Sequence, residues 1–342
     1  MSRSIVASAP TRIDFAGGTL DIPPLYLFHE PAVTVNVAID LCATVAVRET
    51  KERGIHLVAR DRDMQAFWPS ADQIDWRQNR FLELTARLLR SFVRLSAVEV
   101  ITDCQAPAGA GTGGSSALAV AATAALARLG NRRMSKTELI EYARAVETQT
   151  IRVPTGYQDY YAAVFGGASA IEFGRTGVVR RPLVEGEFLD ELERHLLLVY
   201  TGEPRFSGAN NWQLFKGHMS GDPTVFRFFE QLKANALAMR DAFLHRDLGG
   251  VAEALNEDWA IRKAMLPRMS TPLVDTLIRS SRRAGASGAR VCGAGGGGCI
   301  VFLVDPASRS RVEKLLGSHR VQILPCRIHR RGLTVRVMSH ER

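Results

Sequence analysis

The 342-residue sequence has no run of 18 or more apolar residues, so no segment is long enough to cross a bilayer as a helix. Cysteine is scarce: the five residues Cys42, Cys104, Cys292, Cys299 and Cys326 form no C-x-x-C pair. That spacing argues against a disulfide framework or a sulfur-ligated zinc site and predicts reduced thiols in a cytoplasm. Aromatic residues make up 7% of the chain and do not interleave with the basic ones, so the stacking platform of single-strand nucleic-acid binders is missing. No internal repeat or low-complexity linker is visible. The opening MSRSIVASAPTRID lacks an apolar stretch followed by a cleavage site, which predicts no signal peptide. No G-K-[ST] closes either glycine loop, which excludes a Walker A motif.

What the chain does carry is an excess of base, with a formal charge of +9 spread along its length in stretches such as RRAG and CRIHRR. Spread in this way, the charge predicts attraction of anionic small substrates, with neither nucleic acid nor membrane as partner. Val33, Val35, Val37 and Ile39 recur at period two and predict a half-buried strand. RFLELTARLLRSFVR (80–94) has helical spacing, and AVEVITD (97–103) returns to strand. The alanine-rich 115–129 predicts a helix stopped by Gly130 and Asn131. Ser135 and Glu138 form a capping box for a second helix, with Met134 and Leu139 as its hydrophobic staple. HLLLVYTG (195–202) reads as a buried strand, and three helical stretches fill roughly 223–284. Strand, helix and strands then close the chain. The pattern predicts an α+β protein of two lobes, 1–167 and 168–342, meeting near Gly166–Gly167.

Residues 107–120, PAGAGTGGSSALAV, place four glycines in positions 109–114 directly before a helix. Bare backbone N–H groups and the positive end of a helix dipole together favour an anion, most often phosphate; the plainer reading is a flexible surface loop. Gly109, Gly111 and Gly114 satisfy G-x-G-x-x-G, as do Gly293, Gly295 and Gly298. The dinucleotide context fails both times. A second helix follows the first loop where a strand is needed, and the second loop runs straight into CIVFLV.

At these residues the chain resembles the GHMP kinases. PAGAGTGGSSAL is similar to their phosphate loop P-x-x-x-G-L-G-S-S-A, APTRIDFAGGTLDIPP to the N-terminal substrate motif of the sugar-kinase branch, and GARVCGAGGGGCIVF to the C-terminal glycine motif. The three motifs occur in order over residues 10–302. There are departures: Thr112 stands where the family has Leu and Gly114 where it has the first Ser. Gly18 and Thr19 replace the Glu-His that galactokinases carry before their sugar-binding acid.

The resemblance implies an N-terminal lobe like ribosomal protein S5 domain 2, a C-terminal ferredoxin-like lobe, and a kinase using ATP and Mg²⁺ on a sugar or sugar phosphate, heptose 7-phosphates included. It implies ATP binding by Pro107, Gly109, Ala110, Gly111, Thr112, Gly113, Gly114, Ser115 and Ser116, with Ser115 and Glu147 on the metal. It further implies that Asp159, in TGYQDYYAAVFGG, orients or deprotonates the acceptor hydroxyl and that Arg12 neutralises transition-state charge. Gly17, Gly18, Thr19, Asp21, Arg205, Gly295 and Gly296 fall on the substrate side, with Arg205 and Arg262 as candidate phosphate contacts. Each residue also has a plainer role. Ser115 reads as a helix N-cap, Glu147 as a solvated helix-end acid, Asp159 as a first-turn acid and Arg12 as a surface salt bridge. Asp21 reads as a turn former, and Trp259–Arg262–Lys263 as stem packing. A monomer or homodimer is expected. Rival readings are a non-catalytic ligand sensor of the same fold, a mevalonate-branch kinase or decarboxylase, and a more distant dehydrogenase.

Overall fold

The computed structural model describes residues 3–92, 97–203 and 208–339. Two long antiparallel strands, β1 (Arg3–Ala16) and β2 (Ala32–Glu49), open the chain. Next come β3 (Gly54–Ala59), β4 (Met64–Trp68), helix α1 (Glu83–Phe92) and β5 (Ala97–Cys104). Helices α2 (Gly114–Leu129), α3 (Lys136–Ile151) and α4 (Gln158–Phe165) lead into the hairpin β6 (Ala168–Gly174) and β7 (Gly177–Pro182). The second half begins with α5 (Glu187–His195), β8 (Leu196–Tyr200) and α6 (Gly208–Met219). It continues through α7 (Pro223–Leu244), α8 (Leu248–Met265), α9 (Pro272–Ala284), β9 (Ala286–Val291) and β10 (Cys299–Val304). Helix α10 (Arg309–Gly317), β11 (Gln322–Leu324) and β12 (Thr334–Ser339) end it.

Among the described residues the strands form two sheets. The larger has the order β12-β1-β2-β5-β3-β4, with β6 on the first half of β2 and β7 beyond it. The smaller is antiparallel with order β11-β8-β10-β9, the split β-α-β-β-α-β arrangement that a ferredoxin-like lobe requires. A boundary at residue 167 does not separate the sheets, because β6, β7 and β12 all follow it and hydrogen-bond into the larger one.

Pro10 is accommodated inside β1 because the β1–β2 register shifts between Pro10 and Thr11, where a missing N–H breaks no regular ladder. The capping box of α3 forms as its sequence predicts: Ser135 Oγ accepts from Glu138 N, and Glu138 Oε2 accepts from Ser135 N. The expectation of a half-buried strand at Val33–Ile39 needs correction, since this half of β2 is buried on both faces. Val33, Val35, Val37 and Ile39 pack with Ala236, Met239 and Phe243 of α7. On the opposite face Thr34, Asn36 and Ala38 are buried too, and Asn36 Nδ2 donates to Gln158 O at 3.2 Å at the start of α4. A two-sided strand therefore sits beneath the residues that matter chemically.

Candidate active site

Between β5 and α2, Gly109, Gly111 and Gly113 adopt φ of 73°, 81° and 75°, whereas the residues between them are not left-handed. This alternation aims successive N–H groups to one side and forms a concave nest for an anion. Gly113 is the N-cap of α2 and no side chain caps the helix, so its first N–H groups and its dipole are left for a ligand. The N-cap reading of Ser115 therefore fails: Ser115 lies inside the first turn and is exposed, and Ser116 beside it is buried. The loop is pinned from both halves of the chain. Arg12 N donates to Thr112 O at 2.9 Å and Cys299 N to Ala110 O at 2.7 Å, while Ala110 N closes a turn onto Pro107 O. A Cβ on Gly298 would stand 2.7 Å from Ala110 O, so the second glycine turn lies directly against the first.

Arg12, on β1, is buried rather than at the surface. Its Nε donates to Asp159 Oδ1 at 2.8 Å, its Nη2 stands 2.6 Å from the same oxygen, and its Nη1 donates to Gly111 O at 2.6 Å. Burial opposes its charge, but Asp159 and Asp14 outweigh that and hold its pKa above the ordinary arginine value. Asp159 lies in the first turn of α4 with 24% of its side chain exposed, and a Cβ on Gly113 would come within 3.2 Å of its carboxyl carbon. The acid thus borders the phosphate nest and still meets solvent. Asp21 holds it there. Asp21 Oδ2 accepts from Tyr157 N at 2.7 Å and Gln158 N at 2.9 Å, capping α4 from 136 residues away in sequence, while Oδ1 accepts from Thr19 N at 3.1 Å. Burial pushes the Asp21 carboxyl up to about 6, against the downward pull of the Gln158 and Tyr157 N–H groups.

Glu147, near the end of α3, is buried, contrary to a solvated helix-end role, and receives Tyr160 Oη at 2.6 Å on Oε2. Burial raises its pKa; the hydroxyls of Tyr160, Ser116 and Ser115 pull it back, and the charge of Asp159 adds to the rise. A buried carboxylate bonded, among the described residues, only to hydroxyls, with Thr112 Oγ1 on the adjoining loop likewise unpartnered among them, supplies hard oxygen donors of the kind magnesium takes. Among the described residues no group of three or more His, Cys, Asp or Glu gathers to hold a metal unaided, so a cation here would complete its shell from phosphate and water oxygens.

The Gly17–Asp21 turn is wholly buried. Gly17 N donates to Asp258 Oδ1 at 3.3 Å, Arg262 Nη2 donates to Gly18 O at 2.6 Å, and Thr19 Oγ1 donates to Asn211 Oδ1 at 3.0 Å. Behind it runs a chain of buried charges. Arg262 Nε donates to Asp258 Oδ2 at 2.6 Å, Arg290 bridges Asp258 and Asp14 at 2.8 Å each, and Gly293 N donates to Asp14 Oδ1 at 2.8 Å. With Arg12 and Asp159 the signs alternate from the phosphate nest to the turn.

Two family models match the chain, "GHMP kinases N terminal domain" over residues 79–167 and "GHMP kinases C terminal" over residues 239–319. The chain belongs to the GHMP kinases. This GHMP kinase is 26% identical over 319 residues to the D-glycero-alpha-D-manno-heptose 7-phosphate kinase of Campylobacter jejuni, covering 92% of this chain and 93% of that one. It is 25% identical over 321 residues to a bifunctional fucokinase/GDP-fucose pyrophosphorylase of Arabidopsis thaliana, of which it covers only 30%. The crystal structure of a D-glycero-D-manno-heptose 1-phosphate kinase from Bacteroides thetaiotaomicron superposes with a TM-score of 0.79 at 24% identity, covering 98% of this chain and all of that one, a likeness of fold.

The GHMP kinase fold thus brings together Arg12, Asp159, Glu147, Ser115, Ser116 and the loop 107–114. It places Gly17, Gly18, Thr19 and Asp21 in a turn whose Thr19 hydroxyl and Asp21 carboxylate are already bonded. Gly295 packs on Met269, and Gly296 N donates to Met269 O at 2.5 Å. Arg205 lies outside the described residues. Arg262 is no phosphate contact, because it is buried and bonded to Asp258 and Gly18, and Lys263 pairs with Asp275 at 2.5 Å. Asp14, Asp258, Arg290, Asn210, Asn211 and Arg268 escaped the sequence reading, although Asp14 and Arg290 lay inside recognised motifs.

Proposed function

We propose that this chain is an ATP- and magnesium-dependent kinase that phosphorylates a hydroxyl of a sugar or sugar phosphate, heptose 7-phosphates being candidates. The observation that carries the reading is the pair of buried Arg12 and partly exposed Asp159 set against Gly111 and Gly113 of the anion nest. Asp159 accepts the acceptor's hydroxyl proton as the oxygen forms its bond to the γ-phosphorus and the bond to the ADP oxygen breaks. Arg12 and the loop N–H groups meet the charge that develops on the transferred phosphoryl. Glu147, Ser115 and Ser116 would hold Mg²⁺, which supplies neutralisation of the phosphate oxygens. The sugar kinases among the relatives support the acceptor class. Cysteines without C-x-x-C spacing support a reducing, cytoplasmic setting, and light scattering would distinguish monomer from homodimer.

The test is an ATP-consumption screen over free hexoses and heptoses and their phosphates, with mevalonate and homoserine alongside. Turnover on sugars is expected. Turnover of mevalonate or homoserine with none on any sugar would overturn the acceptor assignment.

A further inference from the structure

The arginines around the Gly17–Asp21 turn, the acceptor turn of the kinase reading, are engaged in different ways. Arg12, Arg262 and Arg290 are buried and paired with carboxylates. Arg268 is exposed, on the 3-10 turn Pro267–Met269 between α8 and α9, and pairs with no carboxylate among the described residues. Its backbone is docked, since Gly296 N donates to Met269 O and a Cβ on Gly295 would collide with Met269. Its side chain is docked as well. Nε donates to Asn210 Oδ1 at 3.0 Å and Nη2 donates to Gln213 Oε1, both on α6. Asn210 is itself buried and donates from Nδ2 to Ala294 O at 2.9 Å, and the next residue, Asn211, takes the hydroxyl of Thr19 on the acceptor turn. The neighbouring ion pairs, Arg262–Asp258, Lys263–Asp275 and Arg290–Asp14, do not include Arg268.

A guanidinium has five N–H donors; two are used here on neutral amide oxygens, which orient the group and leave its charge uncancelled. Three donors have no partner among the described residues, in the fork geometry that suits a phosphate dianion. We propose that Arg268 binds a phosphate monoester carried by the acceptor, so that the substrate class is a sugar phosphate; this rests on the kinase reading above. A phosphate of ATP shares the chemistry, but the nest at 109–113 already provides for the nucleotide, and Arg268 is tied through α6 to the acceptor turn.

The test compares the unmodified enzyme with Arg268→Gln and Arg268→Lys. ATP consumption is measured on heptose 7-phosphates, hexose 6-phosphates, hexose 1-phosphates and the parent free sugars, with KM determined for acceptor and for ATP. The unmodified enzyme should prefer a phosphorylated acceptor. Arg268→Gln should raise that acceptor's KM by roughly 10–100-fold, as expected for lost charge-assisted bonds, with kcat and the KM for ATP nearly unchanged. Arg268→Lys should fall between. A rise in KM for ATP instead would overturn the proposal. So would an enzyme that uses free sugars and is indifferent to Arg268→Gln, although the kinase reading would then stand. No ATP consumption on any sugar, free or phosphorylated, would remove both.

Discussion

A buried carboxylate is comfortable as an anion only where charged donors or a cation surround it, and among the described residues Glu147 is bonded to neutral hydroxyls alone. Its pKa is raised above 4.5, so the stability it contributes is present in full below that value and is lost as pH rises through the folded value. At neutral pH the charge destabilises the metal-free protein. Glu147→Gln should therefore raise the metal-free Tm at pH 7–8, by the equivalent of on the order of 1 kcal/mol for a relieved site of this kind, while sharply reducing turnover. Thermal melts with and without MgCl₂ check it. Magnesium should raise the Tm of the parent and not of the variant; equal stabilisation of both would take Glu147 out of the metal site. Asp159→Asn keeps shape but removes the proton acceptor, and kcat should fall by about 10²–10⁴-fold with ATP binding retained. Near-normal kcat would mean that another group is the base. These residues were legible because each sits in a short contiguous motif. Asp14 and Arg290 also sit in such motifs, but their pairing was not legible, because the 2.8 Å contact joins positions 276 residues apart.

At the scale of elements, helices with a strong local signal were readable: the capping box fixed the start of α3, and alanine content marked α2. Helix α6 gave no such signal, since its residues follow no clear apolar period. It is ordered by what it touches, through Asn210, Asn211 and a histidine pair near its end. His29 Nδ1 stands 2.6 Å from Glu230 Oε1, and His29 Nε2 stands 2.9 Å from His218 Nε2. The carboxylate requires a proton on His29 Nδ1, so His29 Nε2 accepts from His218 Nε2–H, and His218 Nδ1 is left a bare acceptor with no partner among the described residues. Phe226 and Phe229 pack against both rings. Burial lowers the pKa of His29 despite Glu230, and burial together with His29 lowers that of His218. A depressed histidine pKa leaves stability intact above the unfolded value of 6.5 and removes it as pH falls below. Tm should therefore decline between pH 7 and pH 5, with hydrogen exchange increasing first where α6 meets α7. His218→Gln should flatten that decline; an unchanged slope would show that the pair does not titrate.

The motif order foretold two lobes, but not that the larger sheet draws β6, β7 and β12 from beyond residue 167, because strand partners are chosen by packing across the whole chain. Nor did it show what fastens the halves. Arg290, on β9 of the smaller sheet, reaches Asp14 on β1 of the larger one and Asp258 on α8, and donates to Phe15 O at 3.1 Å, all with no exposed surface on its side chain. Removing one partner of a buried ion pair leaves an uncompensated charge, so Arg290→Met should cost about 3–5 kcal/mol at neutral pH. Lost packing would produce a deficit independent of pH, and charge would not. Burial favours protonated Asp14, but Arg290 and then Arg12 overcome it and hold the carboxyl below 3.8, so its contribution is present above that value and fades as pH falls through the folded one. In Arg290→Met the balance moves toward burial, with Arg12, Arg262 and Gly293 N–H still opposing it, so the Asp14 carboxyl rises and acid relieves the strain by neutralising it. Urea unfolding of parent and variant from pH 8 down to pH 4 should show the two stabilities converging on acidification. A gap that stays constant across that range would mean that Arg290 holds the lobes by shape alone.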